Sequence, residues 1–295
     1  MTVRPMLVVT DLSDAGDSAV RVALALARRG PVRLVVAHVL PQELPANVLF
    51  PHLSVGAPVS PLALTEAAEA ALLARVATLA GDDRIEWRVR VLDGAPADAI
   101  LELAADVEAS VIVLAPGALA TEVARARLVP VVVARPSPAA GPIISATDFS
   151  SAALPALQAA ALVARDAGAR LVAAHCVDLQ PMAALGGGGV AVAGVTAVPD
   201  LMLDELATSA RQRLTAALTQ TGVAGTAAVV IAPPGPGLVE LTRTEDAALI
   251  VVGTHGRTGL SRLLMGSVAT YVAGHAPCSV MIVPISEPAA TDPGP

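Results

Sequence analysis

The residues with the clearest chemical potential lie near the end of the chain, where a valine-rich segment runs into a loop rich in glycine. The spacing is G-x2-G-x9-G-S, formed by Gly253, Gly256, Gly266 and Ser267. Glycine lets bare backbone approach an anion, and the free N–H groups at the start of a helix point toward it. The pattern therefore predicts a strand, a loop and a helix that together grip phosphate.

Charged residues of the same loop support this interpretation. Arg257 and Arg262 carry positive charge that can neutralise phosphate. Gly266 and Ser267 add backbone donors, a hydroxyl group and the positive end of a helix dipole. An ordinary glycine-rich turn is the alternative, and the two arginines with the spaced Gly-Ser pair favour phosphate binding over it. His255 is not assigned a catalytic role, because a loop histidine more often bonds backbone.

The chain contains an internal duplication. The sequence TDLS at residues 10–13 returns as TDFS at 147–150, and Ala-His at 37–38 returns at 174–175, both at an offset of 137. A proline-rich segment joins the copies near residue 138. We therefore predict domains at residues 1–138 and 139–287, followed by a disordered tail at 288–295.

Each copy alternates short branched-aliphatic segments with longer helical patterns, which is typical of an α/β fold with a parallel sheet. Right-handed crossovers then put helices on both faces of each sheet. Ser13 and Ser150 are predicted helix N-caps. The predicted helices include 18–29, 62–80, 151–167 and 201–219. The predicted strands are 6–10, 34–38, 85–91, 111–115, 131–134, 143–147, 171–175, 227–231, 249–253 and 279–284.

The first copy lacks the glycine loop. From Ala115 to Pro130 is 15 residues, whereas the equivalent distance from Gly253 to Ser279 is 26. The segment that remains has no Gly-Ser pair and carries an added carboxylate, Glu122. We therefore predict that the first copy does not bind a triphosphate in this manner.

Asp148 ends the first predicted strand of the second copy. Ligands of open parallel sheets lie outside the carboxyl ends of the strands, where the strand order reverses. If strands one and four are neighbours, Asp148 and Gly253 face the same crevice, and the carboxylate can accept from a ribose hydroxyl or an adenine amino group. The alternative is that Asp148 only closes a turn, as its twin Asp11 must in a copy without the loop.

Composition excludes several classes of function. The net charge is −7, and all 19 basic residues are arginine. The first half has 12 arginines against 15 acidic residues and the second has 7 against 11, so neither offers the basic face that nucleic acid or an anionic membrane requires. Without lysine, a Walker A lysine and Schiff-base chemistry are excluded. The two cysteines predict reduced, buried thiols, and without a leader or spanning segment we expect a cytoplasmic location.

Several of these motifs resemble those of a known protein family. Residues 141–285 resemble a universal stress protein domain of the ATP-binding type, on TDFS at 147–150, Ala-His-Cys at 174–176 and the glycine motif from 253 to 268. The whole chain resembles a tandem universal stress protein. The first copy keeps TDLS at 10–13 and Ala-His-Val at 37–39 and departs at the loop.

The resemblance implies specific expectations. Each domain should have a five-stranded sheet of order 3-2-1-4-5, and the two domains should pair through their fifth strands as an intramolecular pseudo-dimer. Asp148 and Cys176 should approach adenine and ribose, although the family usually has an aliphatic residue at the cysteine's position. The full set of expected nucleotide-binding residues is Ala146, Thr147, Asp148, Cys176, Gly253, Gly256, Arg257, Gly266, Ser267 and Val268.

We therefore predict a stress-response protein that binds one ATP in its second domain and acts as a sensor or regulatory module. A weak ATPase or self-phosphorylating enzyme and a nucleotide-free interaction protein are the alternatives. We predict no catalytic residue and no metal-ligand set, and we leave open whether Mg²⁺ accompanies the nucleotide. The protein partner and any further homodimerisation also stay open.

Overall fold

The computed structural model describes residues 4–28, 32–40, 61–126, 128–138, 140–179, 200–254 and 265–284. The chain forms two compact units, Met1–Ala134 and Arg135–Pro295. Both are α/β, as predicted. The predicted tail at 288–295 lies outside the described residues.

The first unit alternates strands and helices along the chain. Its strands pair in parallel in the order β3-β2-β1-β4-β5. The elements are β1 (Met6–Val9), α1 (Asp14–Ala27), β2 (Leu34–Val39), α2 (Pro61–Ala80), β3 (Trp87–Leu92), α3 (Pro96–Asp106), β4 (Val111–Leu114), α4 (Ala118–Arg125) and β5 (Val131–Val133).

The second unit repeats this plan. Its strands pair in parallel in the order β8-β7-β6-β9-β10. The elements are β6 (Ile143–Ala146), a short 3-10 helix (Ser151–Ala153), α5 (Leu154–Ala167), β7 (Leu171–Val177), α6 (Asp200–Thr221), β8 (Gly225–Ile231), α7 (Pro234–Thr244), β9 (Leu249–Gly253), α8 (Ser267–His275) and β10 (Ser279–Val283).

Within each unit the hydrogen-bonded order is therefore 3-2-1-4-5, as the family resemblance implied. The first strand lies between the second and the fourth, so the strand order reverses next to it. In the second unit this reversal brings the carboxyl ends of β6 and β9 side by side. The pairing of the two units as a pseudo-dimer stays a prediction.

Two predicted helix starts were wrong. Helix α1 begins at Asp14 rather than at residue 18, because the Ser13 hydroxyl accepts a hydrogen bond from the Gly16 amide and caps the helix four residues earlier. Ser150 makes no such cap. Its hydroxyl donates to the Asp148 carboxylate at 2.6 Å, and the chain after it forms a 3-10 turn before α5 begins.

The buried positions of two pairs of equivalent helices match at a nearly constant offset. Every buried position of α1 between residues 19 and 27 is buried again 137 positions later in α5. Leu72, Val76 and Ala80 of α2 correspond in the same way, at an offset of 138, to buried positions of α6. The duplication therefore extends to the side-chain packing. The buried positions of α6 are Ala210, Leu214 and Leu218.

Candidate functional site

A cavity of about 320 Å³ lies in the second unit, at the carboxyl ends of the central strands. Its walls come from the end of β6, the end of β7, the start of α7, the end of β9 and the start of α8. Its volume is within the range of ligand pockets, roughly 300–1,000 Å³. It occupies the crevice at the reversal of strand order where open parallel sheets bind ligands.

Most of the residues predicted from the sequence line this cavity. Gly256 and Arg257 lie outside the described residues, as do Arg262 and His255. The chain thus brings together residues that are more than a hundred positions apart. The predicted residues that line the cavity are Ala146, Thr147, Asp148, Cys176, Gly253, Gly266, Ser267 and Val268.

The sequence analysis missed one wall of the cavity. Pro234 and Leu238, from the first turns of α7, line it beside β7. They are apolar and carry no chemical signal, so only the topology, which packs α7 against β7, could have identified them. Ala153, Ala174, His175, Val252 and Ala269 complete the lining.

The two ends of the glycine loop are tied together. The Gly266 amide donates to the Thr254 carbonyl at 2.7 Å, and the Thr254 amide donates to Val283 of the neighbouring strand at 3.0 Å. Helix α8 then begins at Ser267, with Gly266 at its N-cap position. The first amides of α8 therefore start at the cavity wall, where an anion would be stabilised.

Asp148 has a structural role in addition to its place in the cavity wall. Its Oδ1 accepts hydrogen bonds from the Ser150 amide at 2.9 Å and from the Ser150 hydroxyl at 2.6 Å. Asp11 makes the same two bonds to Ser13, and the Ser13 hydroxyl lowers the pKa of Asp11 below its ordinary value. The turn predicted as the alternative role of Asp148 is thus present in both copies.

His175 links the ends of β6 and β7. Its Nδ1 donates to the Thr147 carbonyl at 2.8 Å, and the equivalent His38 does the same to Thr10 at 2.9 Å. The ring of Phe149 packs on His175 with 4.3 Å between centroids. These contacts hold the backbone in place just after the end of β6, where it forms part of the cavity wall.

Cys176 forms an apolar part of the cavity wall. Burial raises the pKa of its thiol to about 12, and its sulfur lies 3.7 Å from the Pro234 carbonyl, to which it donates. The helix behind it leaves space for the sulfur, because a Cβ at Gly237 would lie only 3.3 Å from it. Cys176 is therefore a neutral thiol at neutral pH. Both it and the buried Cys278 are free, as predicted.

A family comparison identifies the chain. The sequence profile of the Universal stress protein family matches residues 2–133 and again 140–284. The chain belongs to the universal stress protein family. The two matches together cover most of the sequence, and they correspond to the two copies recognised from the internal repeat.

Individual relatives agree with this assignment. A universal stress protein of Synechocystis sp. is 33% identical over 149 residues, which is 48% of this chain and 97% of that protein. One from Methanocaldococcus jannaschii is 31% identical over 141 residues, which is 48% of this chain and 80% of that protein. The crystal structure of a universal stress protein from Archaeoglobus fulgidus is similar with a TM-score of 0.67 at 18% identity, covering 96% of this chain and 97% of that one.

The two universal stress protein copies differ in the length of the connection after their fourth strands. Thirteen residues separate Gly253, the end of β9, from Ser267, the start of α8, whereas only three separate Leu114, the end of β4, from Ala118, the start of α4. In the first copy α4 thus begins at Ala118, directly after its N-cap residue Gly117, and the connection is too short for a phosphate loop.

Two further properties concern the described residues alone. Among them, no three His, Cys, Asp or Glu side chains come together in a group that could hold a metal ion. None of the helices in the same part of the chain is long and apolar enough to cross a membrane.

Proposed function

We propose that the second unit binds ATP in the cavity at the carboxyl ends of β6 and β9, and that the chain acts as a nucleotide-sensing module in a stress response. One observation carries the proposal. Eight of the ten residues selected from the sequence as nucleotide-binding line a single cavity. Residues chosen for phosphate and residues chosen for adenosine are thereby combined in one volume.

The cavity wall combines the two kinds of group that a nucleotide requires. Ala146 and Cys176 are apolar and suit a base, and Asp148 adds a carboxylate that can accept from a hydroxyl or amino group. Gly253, Gly266 and Ser267 add backbone donors and the start of α8. Helix N-termini of this kind bind phosphate.

Binding, rather than turnover, fits the groups on the cavity wall. A general base needs a free acceptor close to the reacting atom. Oδ1 of Asp148 already accepts two hydrogen bonds from Ser150, which suits a fixed recognition element. The neutral Cys176 thiol is a poor nucleophile. We therefore assign no catalytic residue.

The decisive experiment identifies what the native protein carries. The purified chain is denatured, and the released small molecules are identified by mass spectrometry and counted against protein. We expect one adenine nucleotide per chain, with or without Mg²⁺, and a parallel preparation in EDTA tests whether the ion is needed. Added ATP should raise the melting temperature of the stripped protein, because ligand that binds only the folded state stabilises it.

Two outcomes would contradict the proposal in different ways. Two nucleotides per chain would show that the first unit binds as well, although it lacks the loop. The absence of released nucleotide, together with an unchanged melting temperature in ATP, would leave a nucleotide-free interaction protein. Steady release of phosphate from ATP, abolished by a substitution in the glycine loop, would instead favour the weak ATPase.

A further inference from the structure

The two units hold an arginine at the same place in their long helices, Arg75 in α2 and Arg213 in α6. Each immediately precedes a residue that is 0% exposed, Val76 in one helix and Leu214 in the other. The buried residues one turn before and one turn after match at the same offset of 138. The two arginines are therefore structurally equivalent, and their surroundings can be compared directly.

In the first unit this arginine is neutralised by a carboxylate. Nε of Arg75 donates to Oδ1 of Asp17 at 2.8 Å, and Nη2 lies 2.5 Å from Oδ2. Asp17 belongs to α1 and is 3% exposed. The charge of Arg75 is thus neutralised in an ion pair that joins α2 to α1, and little of it is available to a ligand.

In the second unit the carboxylate is missing. Leu154 occupies the position equivalent to Asp17, and among the described residues Arg213 forms no ion pair. Its guanidinium instead lies over the ring of Phe149, with Cζ 4.0 Å from the centroid. Phe149 is itself a change, because the equivalent residue of the first unit is Leu12. Both partners of the arginine therefore differ between the copies.

The aromatic ring connects Arg213 with the cavity. Phe149 directly follows Asp148, and its ring also contacts the imidazole of His175, at 4.3 Å between centroids. Asp148 and His175 both line the cavity. With spacings of 4.0 and 4.3 Å, the guanidinium lies within one Debye length of the cavity wall, which is about 10 Å at 0.1 M salt.

The other described arginines of this unit are occupied or lie elsewhere. Arg165, Arg170 and Arg243 each pair with a neighbouring carboxylate. The Arg135 guanidinium donates to the Ala273 carbonyl near the end of α8. Arg211 lies on α6 beside a separate groove. Within the described part of this acidic unit, Arg213 is thus the cation that is both unneutralised and close to the cavity.

We propose that Arg213 supplies positive charge to the cavity and strengthens the binding of ligands through their phosphate groups. This inference rests on the proposed nucleotide function. The Phe149 ring holds the guanidinium by a cation–π contact, which keeps the charge near the cavity without cancelling it, as a carboxylate would. The first unit shows the alternative arrangement, in which the same arginine stabilises the scaffold.

A matched pair of substitutions tests the proposal. Arg213→Gln and Arg211→Gln remove the same charge from the same helix, two positions apart, and only the first removes it from beside the cavity. At about 50 mM salt, Arg213→Gln should weaken ATP binding by up to about five-fold, the limit that Coulomb's law in water sets if the three phosphate charges lie as close to Arg213 as the cavity wall does, roughly 8 Å. Arg211→Gln should change it less than two-fold.

The dependence on ligand charge and on salt separates electrostatics from packing. The loss in Arg213→Gln should decrease from ATP to ADP to AMP and vanish for adenosine. It should also nearly vanish at about 0.5 M salt, where the Debye length is roughly 4 Å. Arg213→Lys, which keeps the charge, should retain most of the wild-type affinity for ATP.

Three results would overturn the inference. Equal affinities in Arg213→Gln and Arg211→Gln would show that the position of the charge does not matter. An equal loss for adenosine and ATP would show that Arg213 acts only by packing. If the wild-type chain binds none of the four ligands at either salt concentration, the proposed function itself fails, and the inference fails with it.

Discussion

The two halves of this chain have matching cores but differ in the connection that follows their fourth strands. Buried positions of α1 and α2 return in α5 and α6 at constant offsets, and both units pair their strands in the same order. The connection after the fourth strand nevertheless shortens from thirteen residues to three. The first unit keeps the strand order and the buried positions without the glycine loop. The loop is therefore not needed for the fold and can be lost without losing it.

The first unit is also packed more closely at the position where a residue of the second unit lines the cavity. Gly16 is the residue equivalent to Ala153, whose side chain lines the cavity. A Cβ at Gly16 would lie only 2.4 Å from the Thr10 hydroxyl and 2.6 Å from the Asp11 carboxylate. The start of α1 therefore packs directly on the end of β1, and an alanine equivalent to Ala153 would not fit at Gly16 without a shift of its neighbours.

The largest expected effect is on ligand binding at the glycine loop. Gly266→Asp places a carboxylate at the start of α8, where the proposed phosphates lie, and repulsion between like charges should weaken ATP binding at least ~100-fold. Calorimetric titration measures it. The matched control is Gly117→Asp at the start of the twin helix α4, which should leave the affinity unchanged. A loss of binding in the control would mean that the first unit contributes to the site.

The reactivity of Cys176 tests whether the cavity wall is as apolar as it looks. A pKa of about 12, against 9.0 for an ordinary thiol, lowers the thiolate fraction while raising the nucleophilicity of the thiolate that remains. In a Cys278→Ala background we expect alkylation by iodoacetamide about 50-fold slower than that of a free cysteine peptide at pH 8. The rate should rise ten-fold per pH unit up to pH 10, and rapid labelling at pH 7 would contradict a buried, neutral thiol.

Breaking the ion pair between Arg75 and Asp17 in the first unit gives the next largest effect, a loss of stability. Arg75→Gln leaves the buried carboxylate of Asp17 with Arg21, 3.9 Å away, as its one remaining ion-pair partner among the described residues. Because the Arg75 side chain is itself partly exposed, we expect a loss of about 2 kcal/mol in the free energy of unfolding, below the usual range for buried pairs. Urea denaturation measures it, and Arg213→Gln, which breaks no ion pair and only the cation–π contact with Phe149, is the control and should cost less, about 0.5–1 kcal/mol.

The sequence predicted the fold well because the determinants of the fold are repeated in it. Strand positions followed from branched-aliphatic segments such as those ending at Gly253, and the α/β class followed from their alternation with helices. The starts of α1 and α5 were harder to predict, since they depend on local hydrogen bonds. Both serine hydroxyls donate to the aspartate two residues before them, but only the Ser13 hydroxyl also accepts from a helix amide, and no pattern in the two nearly identical motifs distinguishes these outcomes.

The candidate site was predictable only where its residues carry a chemical signal. Asp148 and the Gly266-Ser267 pair stand out in type and spacing, and they line the cavity. Pro234 and Leu238 do not stand out, because an apolar wall is indistinguishable in sequence from an apolar core. Arg213 was missed for a third reason, since its significance depends on the absence of a carboxylate at Leu154, on a different helix.

A buried hydroxyl in the second unit gives a smaller effect in the opposite direction. Ser145 of β6 is 0% exposed, and among the described residues its Oγ has no hydrogen-bond partner. The equivalent residue of the first unit is Val8, between Val36 and Val113, and in β6 the neighbour in place of Val36 is the smaller Ala173. Ser145→Val should therefore fit and raise the free energy of unfolding by about 1 kcal/mol. The reverse change, Val8→Ser, should lower it by a similar or larger amount.

The smallest effect belongs to Gly117→Asp, the control for the glycine loop. Gly117 is the N-cap residue of α4 with no side-chain cap, its extended backbone accepts any residue, and a Cβ there would meet nothing within 4 Å. An aspartate can accept from the free amides of α4 and interact favourably with the helix dipole, so stability should rise by about 0.3 kcal/mol. Thermal unfolding of the full chain measures it. A glycine-to-aspartate change at the helix start would then stabilise the first unit, where the carboxylate interacts with free helix amides. In the second unit the same change would prevent binding, because the carboxylate competes with the phosphate for those amides.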